Sequence, residues 1–214
     1  MIFRHAENHL KEWYQSRRRK PLVLRGARQV GKSTLIRQFA ANNQMTLAEI
    51  NLERHLYLDA VFKTLDLNRI MHELEAVAGQ KINSEDTILF LDEIQGTPHA
   101  IQALRYFYEE RPDLPVVGAG SLLEFTLADH HFSMPVGRIT YYHLGPLTFK
   151  EFLSATSPDL EKYLTEFRIG EEIPLAAHKK LLNYQREYLF VGGMPEAVQL
   201  FIDDGSLTEV TAVQ

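Results

Sequence analysis

The chemistry in this chain begins with a lysine and a serine set behind two glycines, in the run Gly26-Ala27-Arg28-Gln29-Val30-Gly31-Lys32-Ser33. The run fits G-x-x-x-x-G-K-[ST], the pattern of a phosphate-binding loop. Glycines at 26 and 31 free the backbone to aim its N–H groups at phosphate oxygens where a helix begins. Lys32 is then placed to reach β- and γ-phosphates and the Ser33 hydroxyl to ligate Mg²⁺, while Ala27, Arg28, Gln29, Val30 and Thr34 complete the cradle. A carboxylate pair is the second chemical group, Asp92-Glu93 at the end of Thr87-Ile88-Leu89-Phe90-Leu91. Asp92 suits a metal held through water opposite Ser33, and Glu93 suits a base that orients or deprotonates an attacking water. Gln95 either helps position that water or is a surface glutamine. Ser121 closes another apolar run and is a candidate sensor of a γ-phosphate. Its alternative is the N-cap of a helix over Leu122–Leu127.

These groups need elements to hold them. Pro21-Leu22-Val23-Leu24 reads as a buried strand before the loop, and Leu35, Ile36, Phe39 and Ala40 form a helical stripe after it. Strand, glycine loop and helix is the arrangement that the pattern requires. Thr46–Leu52 reads as a second strand, and Glu53–Asp66 is a mixture without a clear period. Leu67, Ile70, Met71, Leu74, Val77 and Ala78 mark a helix that Gly79 closes. Thr87–Glu93 is continuously apolar until its acids, as a strand covered on both faces would be. Acids at its C-terminal end lie where open α/β sheets bind ligands. Thr97-Pro98 predicts a helix start with threonine as N-cap, and Pro115–Ser121 a further strand. Ile139–Leu144 is the last strand. Thr148-Phe149-Lys150-Glu151 reads as a capping box, with Leu147 and Phe152 as its hydrophobic staple. From there only helices are expected: from Ser157-Pro158 to about Arg168, from Pro174 to Phe190, and from Pro195 through Phe201.

Composition excludes several classes. A 45% hydrophobic content rules out disorder as the default for 214 residues, which fit one α/β domain with an appendage. The absence of cysteine removes disulfides and thiolate metal sites. Met1–Leu10 carries arginine, histidine and glutamate where a signal peptide would be apolar, and no run is long enough to span a bilayer. A cytoplasmic protein with no membrane partner is expected. The net charge of −5 argues against a surface that binds nucleic acid throughout. Arg17-Arg18-Arg19-Lys20 follows a lead-in helix over Ile2–Ser16 that carries Leu10, Trp13 and Tyr14. That run suits the helix C-terminus better than a nucleic-acid or acidic partner. His5 and His9, and His130-His131, read as ordinary histidines rather than metal ligands.

Taken in order, GARQVGKST, LFLDEIQ, GAGS, GRITYYHLGPLTFKEFL and GGMPEAV resemble the prokaryotic AAA-type ATPases, akin to the archaeal ATPases and the STAND branch of P-loop proteins. The resemblance covers most of the chain. It implies a five-stranded parallel sheet of order 5-1-4-3-2 flanked by helices, then a small helical lid, with ATP and Mg²⁺ as ligands. The division expected is 1–154 for the nucleotide-binding domain and 155–214 for the lid. Relatives usually continue into a C-terminal domain of unknown function, so a truncated chain is expected. By the same likeness Gly193-Met194-Pro195 resembles the G-x-P element that packs on adenine, which puts Pro195 at the base. Arg138 lies in the region that such proteins project toward a neighbouring subunit's nucleotide, so it is a candidate catalytic finger in a homo-oligomer; a solvated arginine is the alternative. The protein or nucleic-acid partner is left open. ATP hydrolysis that drives conformational change or partner remodelling is the expected function. A slow nucleotide-gated switch and a small-molecule phosphotransferase are the other classes.

Overall fold

The computed structural model describes residues 2–83, 86–121 and 137–205. Its strands are β1 (Leu22–Arg25), β2 (Thr46–Asn51), β3 (Thr87–Asp92), β4 (Val116–Gly120) and β5 (Thr140–His143). They form one five-stranded sheet in the order β2-β3-β4-β1-β5, the expected order read from the other edge. Every pairing is parallel, with Leu22 opposite both Val117 and Thr140, and Asn51 opposite Asp92. The central strands β3 and β4 are buried along their whole length, which is why their sequences are apolar without alternation.

The chain divides into two compact units. One spans 6–144 and contains the sheet; the other joins the residues up to His5 with those from Gly145 onward. The sheet unit holds α1 (Ala6–Gln15), α2 (Lys32–Asn42), α3 (Leu58–Phe62), α4 (Leu67–Ala78) and α5 (Pro98–Glu110). One face of its core gathers Ile50, Phe62, Leu74, Leu91, Ile94, Leu104 and Phe107. The helical unit holds α6 (Phe149–Thr156), α7 (Pro158–Glu166), α8 (Leu175–Val191) and α9 (Pro195–Asp204). Leu147, Phe152, Val191, Ala197 and Val198 are its core.

Local signals placed most boundaries. The capping box is present: Thr148 accepts from the Glu151 N–H, and Glu151 returns a carboxylate to the Thr148 N–H at 2.8 Å. Both staple residues, Leu147 and Phe152, are buried in the same cluster. Gly79 closes α4 in the left-handed region at φ 67°. Three expectations are corrected. The first helix begins at Ala6 rather than Ile2, because the N–H of His5 and the guanidinium of Arg4 are taken by Glu151 in the helical unit. The Glu53–Asp66 mixture contains α3, whose Leu58 and Phe62 are buried. Thr97 occupies the N-cap position of α5, yet its hydroxyl makes no cap bond; Asp59 of α3 accepts from the His99 N–H at 3.1 Å and supplies the cap across the fold. Arg19 hydrogen-bonds the Tyr14 carbonyl at 2.7 Å and lies over the Trp13 and Tyr14 rings, a helix-end role for the basic run. The expected helix over 122–127, and His130, His131 and Pro135, lie outside the described residues.

Candidate functional site

Parallel strands carry their C-terminal ends to one edge, and the loop from Gly26 to Gly31 leaves β1 at that edge. The backbone φ is 149° at Gly26 and 89° at Gly31, and Gln29 also has a positive φ, 64°. A side chain at Gly26 would collide with the Leu144 carbonyl oxygen, so glycine is required there by space as well as by torsion. Val30 is fully buried and pins the loop to the core. Lys32 is the first residue of α2 and only 7% exposed. Its ammonium curls back over the loop and donates to the carbonyls of Gly26 at 3.0 Å and Ala27 at 2.7 Å. Burial lowers the Lys32 pKa most, Glu93 and Asp92 pull it back up, and Arg28 lowers it further.

Ser33 follows, and its hydroxyl donates to Asp92 Oδ2 at 2.8 Å across 59 residues of sequence. The other Asp92 oxygen accepts from the Glu93 N–H at 3.1 Å. Asp92 is 5% exposed, and its pKa is raised, chiefly by burial, against the opposing Ser33 bond, with Glu93 adding repulsion. A buried carboxylate pushed toward its neutral form is one that a cation would stabilise. Glu93 is not part of β3. It stands in the left-handed region at φ 51° and starts a 3₁₀ turn over Ile94–Gly96. That conformation turns the chain sharply past Asp92 and lets Gln95 Nε2 donate to Glu93 Oε2 at 2.5 Å. Ile94 anchors the turn: it is fully buried, and Gly118 of β4 leaves the space its side chain fills.

β4 lies between β1 and β3, so Ser121, one residue past the Arg25–Gly120 pair, stands between the loop and the acids. Its Oγ is buried and, among the described residues, has no hydrogen-bond partner, as is the case for Gln95 Oε1. Buried polar atoms of this kind carry a cost unless a ligand or water meets them. A helix N-terminus, a buried ammonium, a hydroxyl beside a carboxylate and an unmet hydroxyl fit a nucleoside polyphosphate with a divalent cation. Among the described residues, no group of three or more His, Cys, Asp or Glu side chains forms a protein-only metal site. His9 stacks on Tyr142, and His5 sits 3.7 Å from Glu151. No helix among the described residues is long and apolar enough to cross a membrane.

The fold therefore brings together Lys32, Ser33, Asp92, Glu93 and Ser121 from three strands. Arg138 is elsewhere. It precedes β5, whose Thr140 pairs with the start of β1, so it stands at the opposite edge of the sheet. There it donates to Glu109 at 3.0 Å, beside Arg105, and lies over Tyr108. Pro195 is the first residue of α9 in the helical unit, half-buried. Sequence reading missed the Gln95 grip on Glu93 and the Ile94–Gly118 fit. The second depends on packing between strands and left no local signal.

A family model described as an AAA domain matches residues 18–153. No curated protein matches the chain. Among solved structures, AMPPCP-bound DnaA from Aquifex aeolicus is similar at a TM-score of 0.52 and 15% identity, over 96% of this chain and 63% of that one. PCH-2 of C. elegans follows at a TM-score of 0.48 and 12% identity, covering 99% and 67%, and Aeropyrum pernix ORC1 in complex with DNA at 0.47 and 18%, covering 98% and 61%. The chain spans less than two thirds of the length of the DnaA and ORC1 structures. At these identities the likeness to DnaA is one of fold.

Proposed function

The chain belongs to the AAA domain family of P-loop ATPases, and from that premise we propose that it binds ATP with Mg²⁺ and hydrolyses it to drive a conformational change or the remodelling of a partner. The observation that carries this reading is the Ser33–Asp92 contact at 2.8 Å, made one residue from the buried ammonium of Lys32. It joins the loop to the acidic strand, and neither half alone would assign the chemistry. Lys32, leaving its two loop carbonyls, meets the β- and γ-phosphates, with the α2 N-terminus behind them. Ser33 and Asp92 are the residues that would hold Mg²⁺, which would supply neutralisation of the phosphate charge. Glu93 takes the proton of the attacking water, and the Ser121 hydroxyl donates to a γ-phosphate oxygen. DnaA of Aquifex aeolicus, whose structure holds the ATP analogue AMPPCP, supports the same nucleotide class.

The test is a pair of variants. Lys32→Ala should lose detectable ATP binding in calorimetry, while Glu93→Gln should bind ATP and turn over roughly 10²- to 10⁴-fold more slowly. Normal affinity in the first or normal turnover in the second removes the assignment. A second reading, a slow nucleotide-gated switch, draws on the Gln95–Glu93 hydrogen bond of 2.5 Å, which keeps the base engaged. Gln95→Ala separates the two, since release of a held base raises turnover in a switch and leaves a working ATPase no faster. Pro195 is proposed to pack on adenine, on the likeness of Gly193-Met194-Pro195 to the G-x-P element and its place at the first turn of α9. An ATP-bound structure with the base out of van der Waals reach of Pro195 removes that role.

A further inference from the structure

Helix α8 has an outer face that its own unit leaves uncovered. Of its 17 residues only Val191 is buried. Leu175, Leu182 and Leu189 are 67, 38 and 75% exposed. They are seven residues apart, so they form one row along the helix. Lys179 and Arg186, both exposed, fall between them at alternating steps of four and three residues. In heptad terms leucine fills each d position and a cation each a position. Lys179, Lys180 and Arg186 have no ion pair among the described residues. The one acid of α8, Glu187, turns the other way, into the recess it shares with Ala155, Thr156, Phe201 and Ile202.

We infer that this row is the docking seam for an amphipathic helix of another protein, one that carries leucines opposite Leu175, Leu182 and Leu189 and carboxylates opposite Lys179 and Arg186. Leucine against leucine removes apolar area from water, and the carboxylates meet cations that have no ion pair among the described residues. A second copy of α8 is a poor occupant, because it brings further cations and no carboxylate to the seam. A lipid surface is also a poor match, since it needs a broad apolar face, and here the leucines stand in single file between charges.

The probe is a synthetic three-heptad peptide with Leu at d and Glu at a, its partner a peptide with Lys at a, each titrated onto the full chain by fluorescence anisotropy. The Glu peptide should bind and the Lys peptide should not. Lys179→Glu/Arg186→Glu, a change confined to exposed side chains, should weaken the Glu peptide at least about tenfold and admit the Lys peptide. Leu182→Glu, with its circular dichroism unchanged, should abolish binding of the Glu peptide. Equal binding of the two peptides, binding of neither, or indifference to the charge swap overturns the inference. Self-association in sedimentation that Leu182→Glu removes would give the seam to a second copy, and attachment to phosphatidylserine vesicles without preference between the peptides would give it to lipid. Either result overturns it too.

Discussion

Asp92 shows how a functional side chain costs the fold that holds it. Burial raises its pKa and Glu93 repels it, while the Ser33 hydroxyl and the Glu93 N–H oppose them. For an acid with a raised folded pKa, the penalty is absent at low pH and grows as pH rises through the unfolded value toward the folded one. Asp92→Asn keeps the shape and can keep both hydrogen bonds while removing the charge. The nucleotide-free variant should therefore melt a few degrees higher than the parent at pH 7, and its ATP affinity should lose its response to Mg²⁺. A lower melting temperature together with an unchanged Mg²⁺ response would show that Asp92 is an ordinary structural carboxylate. The gain should shrink as the medium is made more acidic, which a packing effect would not do.

At the scale of elements, the start of α6 depends on one carboxylate. Glu151 is 3% exposed, accepts from the N–H groups of Thr148 and His5 at 2.8 and 2.7 Å, and pairs with Arg4 at 3.2 Å. Burial pushes its pKa up, but the Thr148, His5 and Arg4 donors together hold it below the ordinary 4.5. A depressed carboxyl contributes stability that is complete above the unfolded value and lost as pH falls through the folded one. Acid should thus loosen the helical unit below about pH 4.5, starting with the residues that Glu151 ties down. Glu151→Ala should cost about 3–5 kcal/mol, because it removes the buried carboxylate that pairs with Arg4 and accepts from the His5 and Thr148 N–H groups. Hydrogen exchange at the His5 and Thr148 amides gives a direct reading. Unchanged protection there in the variant would contradict the role.

At the scale of the molecule, the sheet separates Arg138 from the phosphate loop. β1 runs from one edge to the other over four residues, roughly 13 Å of extended chain, and Arg138 stands at its start while Lys32 lies beyond its end. Arg138 therefore has no route to the site of its own chain, and its proposed catalytic part requires a neighbouring copy. Guanidinium suits that part because it stays charged and bonds bidentately to phosphate oxygens. Its present partner, Glu109, is a surface pair that assembly can exchange at little cost. Turnover per chain should rise with protein concentration, and Arg138→Ala should bind ATP normally yet stay inactive, with a loss of roughly 10³- to 10⁵-fold. An excess of Glu93→Gln chains should rescue it, since each variant supplies what the other lacks. Turnover that ignores both concentration and Arg138 would end the proposal.

What the sequence determined by itself was local. A glycine loop between a buried strand and a helix, an apolar run that ends in acids, a glycine C-cap and a capping box each depend on neighbours within a few positions, where torsion, capping and period dictate the outcome. Lys32, Ser33, Asp92 and Glu93 were legible for that reason, and so was the parallel sheet, because strands without alternation must be covered on both faces. Tertiary structure decided whatever joins distant segments. Asp59 rather than Thr97 caps α5, Glu151 delays the start of α1 by claiming Arg4 and His5, and strand order and register put Ser121 beside the loop and Arg138 at the far edge. The energies involved are pairings of buried polar groups across tens of residues, and no window of sequence contains both partners.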